Sequence, residues 1–230
     1  MLILYLCAAL CFLWIGVPLL HRLVQTWKVG ARCRKQQIVA LSFDDGPGSK
    51  ITPQVLDLLK ETSNHATFFT IGRNTRLHPD ITKRILEEGH DLGGHGEEHL
   101  DAWTVSPRRS LQDVQQGYES IAQWSGHCTL FRPARGRMTL LTWAWLISQS
   151  AQIAWWTIDS GDTQQVLEES QKVVDRVIRR RGGVVLLHDF DGSEKRNRYV
   201  VEVTRKLLNA AREHGLAIAP LREVLGGGTR

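Results

Sequence analysis

Two adjacent carboxylates, Asp44 and Asp45, close an apolar run over 37–43 and are followed at once by Gly46-Pro47. Successive side chains at a strand end cannot both face the same way. One can therefore bind a cation while its neighbour stays free for proton transfer. The plainer alternative is a solvated turn, because Asp, Gly and Pro are all turn residues. Further along, Gly93-Gly94-His95-Gly96-Glu97-Glu98-His99 sets two imidazoles four residues apart. From a helix or tight turn such a pair projects together, as a metal pair must. With a carboxylate from the first cluster it makes a two-His, one-carboxylate metal site. The same segment fits His-x-x-Glu-His, an inverted zinc-protease motif with Glu98 as base. That motif needs a regular helix, and glycines at 93, 94 and 96 cost a helix about 1 kcal/mol each relative to alanine.

Three more polar clusters follow apolar runs. Phe131-Arg132-Pro133-Ala134-Arg135-Gly136 puts a guanidinium just before a rigid turn, Asp159-Ser160-Gly161-Asp162 follows Trp155-Trp156-Thr157-Ile158, and Leu186-Leu187-His188-Asp189 follows Gly183-Val184-Val185. Each alone reads equally as a surface salt bridge, an Asx turn or a helix cap. What decides between the readings is whether the elements bring the clusters together.

Those elements alternate. Apolar, β-rich runs fall at 37–43, 66–71, 91–93, 130–131, 152–158, 183–187 and 216–219, with helical stretches at 51–62, 79–89, 107–124, 138–149, 164–181 and 197–213 between them. Such alternation predicts a parallel sheet, and seven units favour a barrel, in which the C-terminal strand ends meet on one face. All five clusters stand at such ends. The length of 230 residues suits one domain of this class.

The net charge of +5 is local. Residues 1–43 carry five basic side chains (Arg22, Lys28, Arg32, Arg34, Lys35) and no acidic one, and the rest carries 24 of each sign. The body is therefore not a nucleic-acid binder by charge. Residues 1–20 hold no charged side chain, about the length that crosses a hydrocarbon core. Neither basic residues before the run nor a small-residue cleavage pattern after it suggests a cleaved signal. The expected organisation is a transmembrane anchor over 1–21, a basic juxtamembrane linker over 22–36 and a catalytic domain over 37–230. The basic flank puts the body on the cytoplasmic face. The four cysteines form no disulfide framework.

The five ordered clusters resemble the motifs of the NodB-type polysaccharide deacetylases, carbohydrate esterase family 4, over about residues 37–225. The resemblance rests on residues 42–47, His95 with His99, Arg132 to Gly136, Asp159 to Asp162, and Leu186 with His188. It implies a distorted (β/α) barrel and a metal-dependent hydrolase that removes acetyl or another small acyl group from an N-acylated sugar. Asp45, His95 and His99 would bind a divalent ion, most often zinc, with cobalt, nickel or manganese as alternatives. Asp44 would act as base, held by Arg132, and His188 as acid, oriented by Asp162. A backbone N–H in the 133–136 turn would receive the oxyanion, and Pro133, Arg135, Gly136, Asp159 and Leu186 would line the substrate site.

The sequence also departs from the family pattern. Gly96 stands where a hydroxyl residue is usual, which removes a brace from the metal loop. Thr163 replaces a tryptophan beside His188, and Arg135 occupies a position that is often aromatic, where it faces either water or an anionic part of the substrate. A short tether between span and domain points to a membrane-proximal glycan, glycolipid or lipid-linked sugar. The alternatives are an outward-facing enzyme acting on peptidoglycan or an exported polysaccharide, an inactive glycan-binding relative, and a non-haem iron oxygenase using the same three ligands.

Overall fold

The computed structural model describes residues 1–126 and 130–226, with the backbone alone over 2–12. Cys128 thus lies outside the described residues, as do the side chains of Cys7 and Cys11. Among the described residues eight strands are separated by helices, except that β6 follows β5 directly: β1 Ile38–Asp44, β2 Thr67–Thr70, β3 Asp91–Gly94, β4 Leu130–Phe131, β5 Gln152–Ile153, β6 Ile158–Asp159, β7 Gly183–His188 and β8 Ala217–Ile218. They pair in parallel in the order β5-β4-β3-β2-β1-β7-β6, with β8 added to β1. The apolar run expected as one strand over 152–158 is divided between β5 and β6. These two stand at opposite ends of the order, so the sheet curls as an open half-barrel and does not close between them.

The strands show why the clusters converge. In β1, Val39, Leu41 and Phe43 join the large apolar cluster with residues of α2 (Ile51–Glu61) and α8 (Glu194–Glu213). Ala40 faces the other way, into a smaller cluster with Phe69, Leu130 and Val184. The period of two then carries Ser42 and Asp44 along the inner face to its upper end. In β7 the same alternation sends Val185 and Leu187 outward and leaves Leu186 and His188 inside. The register pairs Asp44 with His188 directly.

The remaining helices are α3 Gly72–Leu77, α4 Pro79–Glu87, α5 Pro107–Ser125, α6 Leu140–Ser148, α7 Ser170–Arg180 and α9 Leu221–Leu225, with a 3-10 turn at Ala134–Gly136. The helix expected from 164 begins only at Ser170. Val166, inside that expected stretch, is exposed.

The largest departure is at the N-terminus. A single helix, α1, runs Leu2–Gln36, so the stretch expected as a linker is helical. Val29 and Cys33 on α1 are buried among Ala40, Phe69, Val184, Leu221 and Val224, where they fill the concave side of the curl. Among the described residues no helix is long and apolar enough to cross a membrane; the expected span over 1–21, whose side chains at 2–12 lie outside the described residues, is not supported by the structure. The helix buries Val29 and Cys33 against the domain and leaves Arg22 half-buried there. A stripe so short of large apolar residues gives no hydrophobic period by which sequence could announce it.

Candidate active site

β1 delivers Asp44, and the chain turns immediately after it. Asp45 has φ 71°, in the left-handed region, which swings its carboxylate away from that of Asp44. The backbone stays tied to the sheet, with Asp45 N–H donating to Phe69 O and Asp189 N–H donating to Asp44 O. His95 follows β3 and is buried. His99 comes from the loop beyond it, itself left-handed at φ 58°.

These three side chains meet. Asp45 Oδ1 lies 3.3 Å from His95 Nε2 and 3.2 Å from His99 Nε2, and one ligand atom of each falls within 4.8 Å of the others. His95 Nδ1 is 2.7 Å from the carbonyl of Arg132. That contact makes Nδ1 the donor and leaves the Nε2 lone pair facing Asp45. Among the described residues Asp45 Oδ1 is buried with no hydrogen-bond partner. Burial holds His99 down to about 4, so its imidazole is neutral at physiological pH. An orphaned carboxylate oxygen facing two imidazole lone pairs fits a divalent cation bound by nitrogen and oxygen donors.

Asp44 sits beside this triad, its Oδ2 3.6 Å from His95 Nε2. Its Oδ1 accepts from Arg132 Nη1 at 2.6 Å. Arg132 is completely buried. It also donates to Ser42 Oγ at 2.9 Å and lies 4.1 Å from the centre of the Phe69 ring. A guanidinium this deep, hydrogen-bonded to the carboxylate, fixes it in rotamer.

His188 stands across from Asp44. Its Nδ1 lies 2.8 Å from Asp162 Oδ1, and its backbone N–H donates to Asp162 Oδ2 at 3.0 Å. Asp162 also accepts from Ser160 Oγ and from Arg196 Nη2, both at 3.0 Å. Burial would lower the His188 pKa. The hydrogen bond and charge of Asp162 outweigh it, with help from Asp44 and Asp45, and push the imidazole up to about 9.

A cleft of about 320 Å³ opens over Asp44, Asp45, His95, His99 and His188. Of the other expected site residues, Arg135, Gly136, Asp159 and Leu186 line this cleft. Pro133 does not; it faces a smaller cavity behind His95 with Phe131 and Met138. Arg132 and Asp162 lie beneath the lining and act through Asp44 and His188. Sequence reasoning missed Trp156 and Phe190, which wall the cleft, and also Arg196 and Asp189. Asp189 is fully buried and takes a hydrogen bond from Thr52 Oγ1 at 2.6 Å. Burial raises it to about 7, the charges of Asp45 and Asp44 adding to the rise and the Thr52 bond opposing it. Its place in His188-Asp189 next to a strand end was the only signal.

Residues 31–156 match the polysaccharide deacetylase family. The chain belongs to that family. The peptidoglycan-N-acetylglucosamine deacetylase of Bacillus cereus is 31% identical over 202 residues, which cover 87% of this chain and 92% of that one. The peptidoglycan-N-acetylmuramic acid deacetylase PdaC of Bacillus subtilis is 34% identical over 159 residues, 67% of this chain and 33% of that longer protein. A crystal structure of the Bc1960 peptidoglycan N-acetylglucosamine deacetylase superposes with TM-score 0.74 at 28% identity, covering 82% of this chain and 88% of the other. The protein is accordingly a hydrolase of amide bonds, a glycan N-deacetylase.

Proposed function

We propose that this deacetylase removes N-acetyl groups from the amino sugars of a peptidoglycan-type glycan. The observation that carries the chemistry is the pairing of Asp44 with His188 on neighbouring strands. One is an anion secured by buried Arg132, and the other is an imidazole kept protonated by Asp162. Two proton-transfer groups of opposite charge state on either side of one cleft suit hydrolysis of an amide, whose amine must be protonated to leave.

Asp45, His95 and His99 would hold a divalent cation, zinc by the donor set, which when bound polarises the acetamide carbonyl and acidifies water. Asp44 takes a proton from the attacking water. Pro133 has no N–H and that of Gly136 donates to Pro133 O, so the N–H groups of Ala134 and Arg135 would receive the oxygen on which negative charge develops. His188 gives its Nε2 proton to the departing amine as the carbon–nitrogen bond breaks, releasing acetate and the free amino sugar. Asp162 fixes the tautomer through Nδ1 and stabilises the imidazolium. Relatives named for N-acetylglucosamine and for N-acetylmuramic acid support an amino sugar of this class without choosing between the two.

A second reading, a lipid-linked or otherwise membrane-proximal sugar, is favoured by the uncharged run over 1–20 and the five basic residues after it. On that reading the body works at the cytoplasmic face. A phosphatase fused after Arg230 tests it, since activity of that reporter would put the body outside.

The decisive experiment measures acetate release by the full chain from N-acetylglucosamine oligomers and from peptidoglycan, with and without chelator. Asp44→Asn should retain zinc and lose hydrolysis. Release that ignores the chelator, or that survives in Asp44→Asn, would overturn this assignment of roles.

A further inference from the structure

The N-terminal helix reaches the active site. Arg22 Nη1 donates to the carbonyl of Gly136 at 2.9 Å. Its guanidinium lies 5.0 Å from the ring of Trp156 and 5.3 Å from that of Trp155. The guanidinium of Arg132, which holds Asp44, is 5.8 Å from the same Trp156 ring. Trp156 thus bridges a helix residue and the innermost cation of the site. The fit is tight: a Cβ on Gly136 would stand 2.8 Å from Trp156 Cη2 and 2.9 Å from Arg22 Nη1.

Two features make this contact more than packing. The turn it grips is in a costly conformation, with Arg135 at φ 54° and Gly136 at φ 65° in succession, and a non-glycine residue there persists only where its surroundings over-determine it. The turn also borders the gap between β5 and β6, where no strand pairing supports Trp156. Arg22 is half-buried, and among the described residues it makes no ion pair with a carboxylate. Burial lowers its pKa, and its polar contact is spent on one carbonyl. It lies outside the stretch 31–156 that matches the family.

We propose that Arg22 is a positioning residue of the deacetylase. It holds the 133–136 turn and the Trp156 wall in the geometry that leaves the Ala134 and Arg135 N–H groups for the substrate carbonyl, that of Gly136 being held by Pro133 O. Helix α1 is then part of the catalytic unit and not a tether to it. The inference rests on the deacetylase reading, and its test separates the two.

The test compares full-length wild type, Arg22→Ala and Arg22→Lys by acetate release, zinc content, thermal midpoint and amide hydrogen exchange over residues 134–137. The expected result for Arg22→Ala is a loss of about tenfold or more, concentrated in kcat, as oxyanion-donor geometry requires. Exchange in the turn should rise while zinc content and thermal midpoint hold. Arg22→Lys, which keeps a donor for Gly136 O but loses the planar stack, should fall between them. Unchanged kcat together with unchanged exchange would overturn the proposal, as would a loss matched by zinc release or a collapsed midpoint. A wild type that releases no acetate, with exchange still rising in Arg22→Ala, would sink the deacetylase reading and leave the positioning role standing.

Discussion

The carboxylate of Asp113 occupies the space beside Gly96 in which a side chain would stand. A Cβ on Gly96 would fall 2.4 Å from Asp113 Oδ2. From α5, Asp113 Oδ1 accepts the backbone N–H of Glu98 at 2.7 Å, while its carbonyl accepts that of Glu97 at 3.1 Å. The metal loop is therefore braced, although the sequence suggested a missing brace where Gly96 replaces a hydroxyl residue. The brace comes from a neighbouring helix, and Gly96 is the residue that leaves room for it.

Gly96→Ser is expected to weaken zinc binding, because the new side chain meets Asp113 and the position has φ +85°. Asp113→Ala should weaken it too, by roughly 10- to 100-fold, the usual cost of removing a group that orients a ligand. The double variant should bind better than the sum of the two losses predicts, since the clash is gone. Chelator competition on the purified protein measures all three. Strict additivity would mean that the two positions do not share one space.

The Asp162–His188 pair sets a pH window. His188 is raised to about 9 from an ordinary value near 6.5. The raised pKa means that its stabilising contribution is complete below about 6.5 and is lost as pH climbs through about 9. Acid catalysis by His188 fades over the same upper limb. In Asp162→Asn the alkaline limb of kcat should move down towards neutrality and the rate at pH 8 should drop. An unmoved alkaline limb would exclude His188 as the group that titrates there.

Much of the site was legible because each inner strand face ends in a polar cluster. Ala40, Ser42 and Asp44 alternate with Val39, Leu41 and Phe43, and a period of two needs no further information to send Asp44 inward. What sequence hid were contacts made by side chains distant in the chain. Asp113 sits on an amphipathic helix with no local mark of its task, and Arg196 reaches Asp162 from α8 in the same way. The docking of α1 was hidden for the opposite reason. Leu19, Leu20, Leu23 and Trp27 point to solvent, whereas the packed face offers Arg22, Thr26, Val29, Gly30 and Cys33. The side chains that pack are mostly small or polar, and carry no periodic apolar signal.

That buried face makes a prediction about Cys33. Its side chain is wholly inaccessible, and burial pushes the thiol up to about 11. A variant retaining Cys33 alone of the four cysteines should react with a maleimide about two orders of magnitude faster in urea than in buffer. Deleting residues 1–36 should destabilise the domain outright. It uncovers Phe69, Leu130 and Val184, worth about 1.5–3 kcal/mol each when buried, against a typical total of about 5–15 kcal/mol. A folded, fully active fragment over 37–230 would show that α1 is dispensable.

Arg135 tests the substrate. It is exposed on the rim of the cleft, forms no ion pair among the described residues, and lies close enough to His99 for its charge to lower that imidazole's pKa. A cation left without a partner at the mouth, on a backbone that disfavours side chains, is well placed to meet a carboxylate or phosphate on the glycan. Arg135→Ala should raise KM for an acidic glycan by up to about fivefold, the range of an exposed ion pair, and leave KM for neutral N-acetylglucosamine oligomers nearly unchanged. Equal KM values for wild type and variant on the acidic glycan would reduce Arg135 to a solvated side chain.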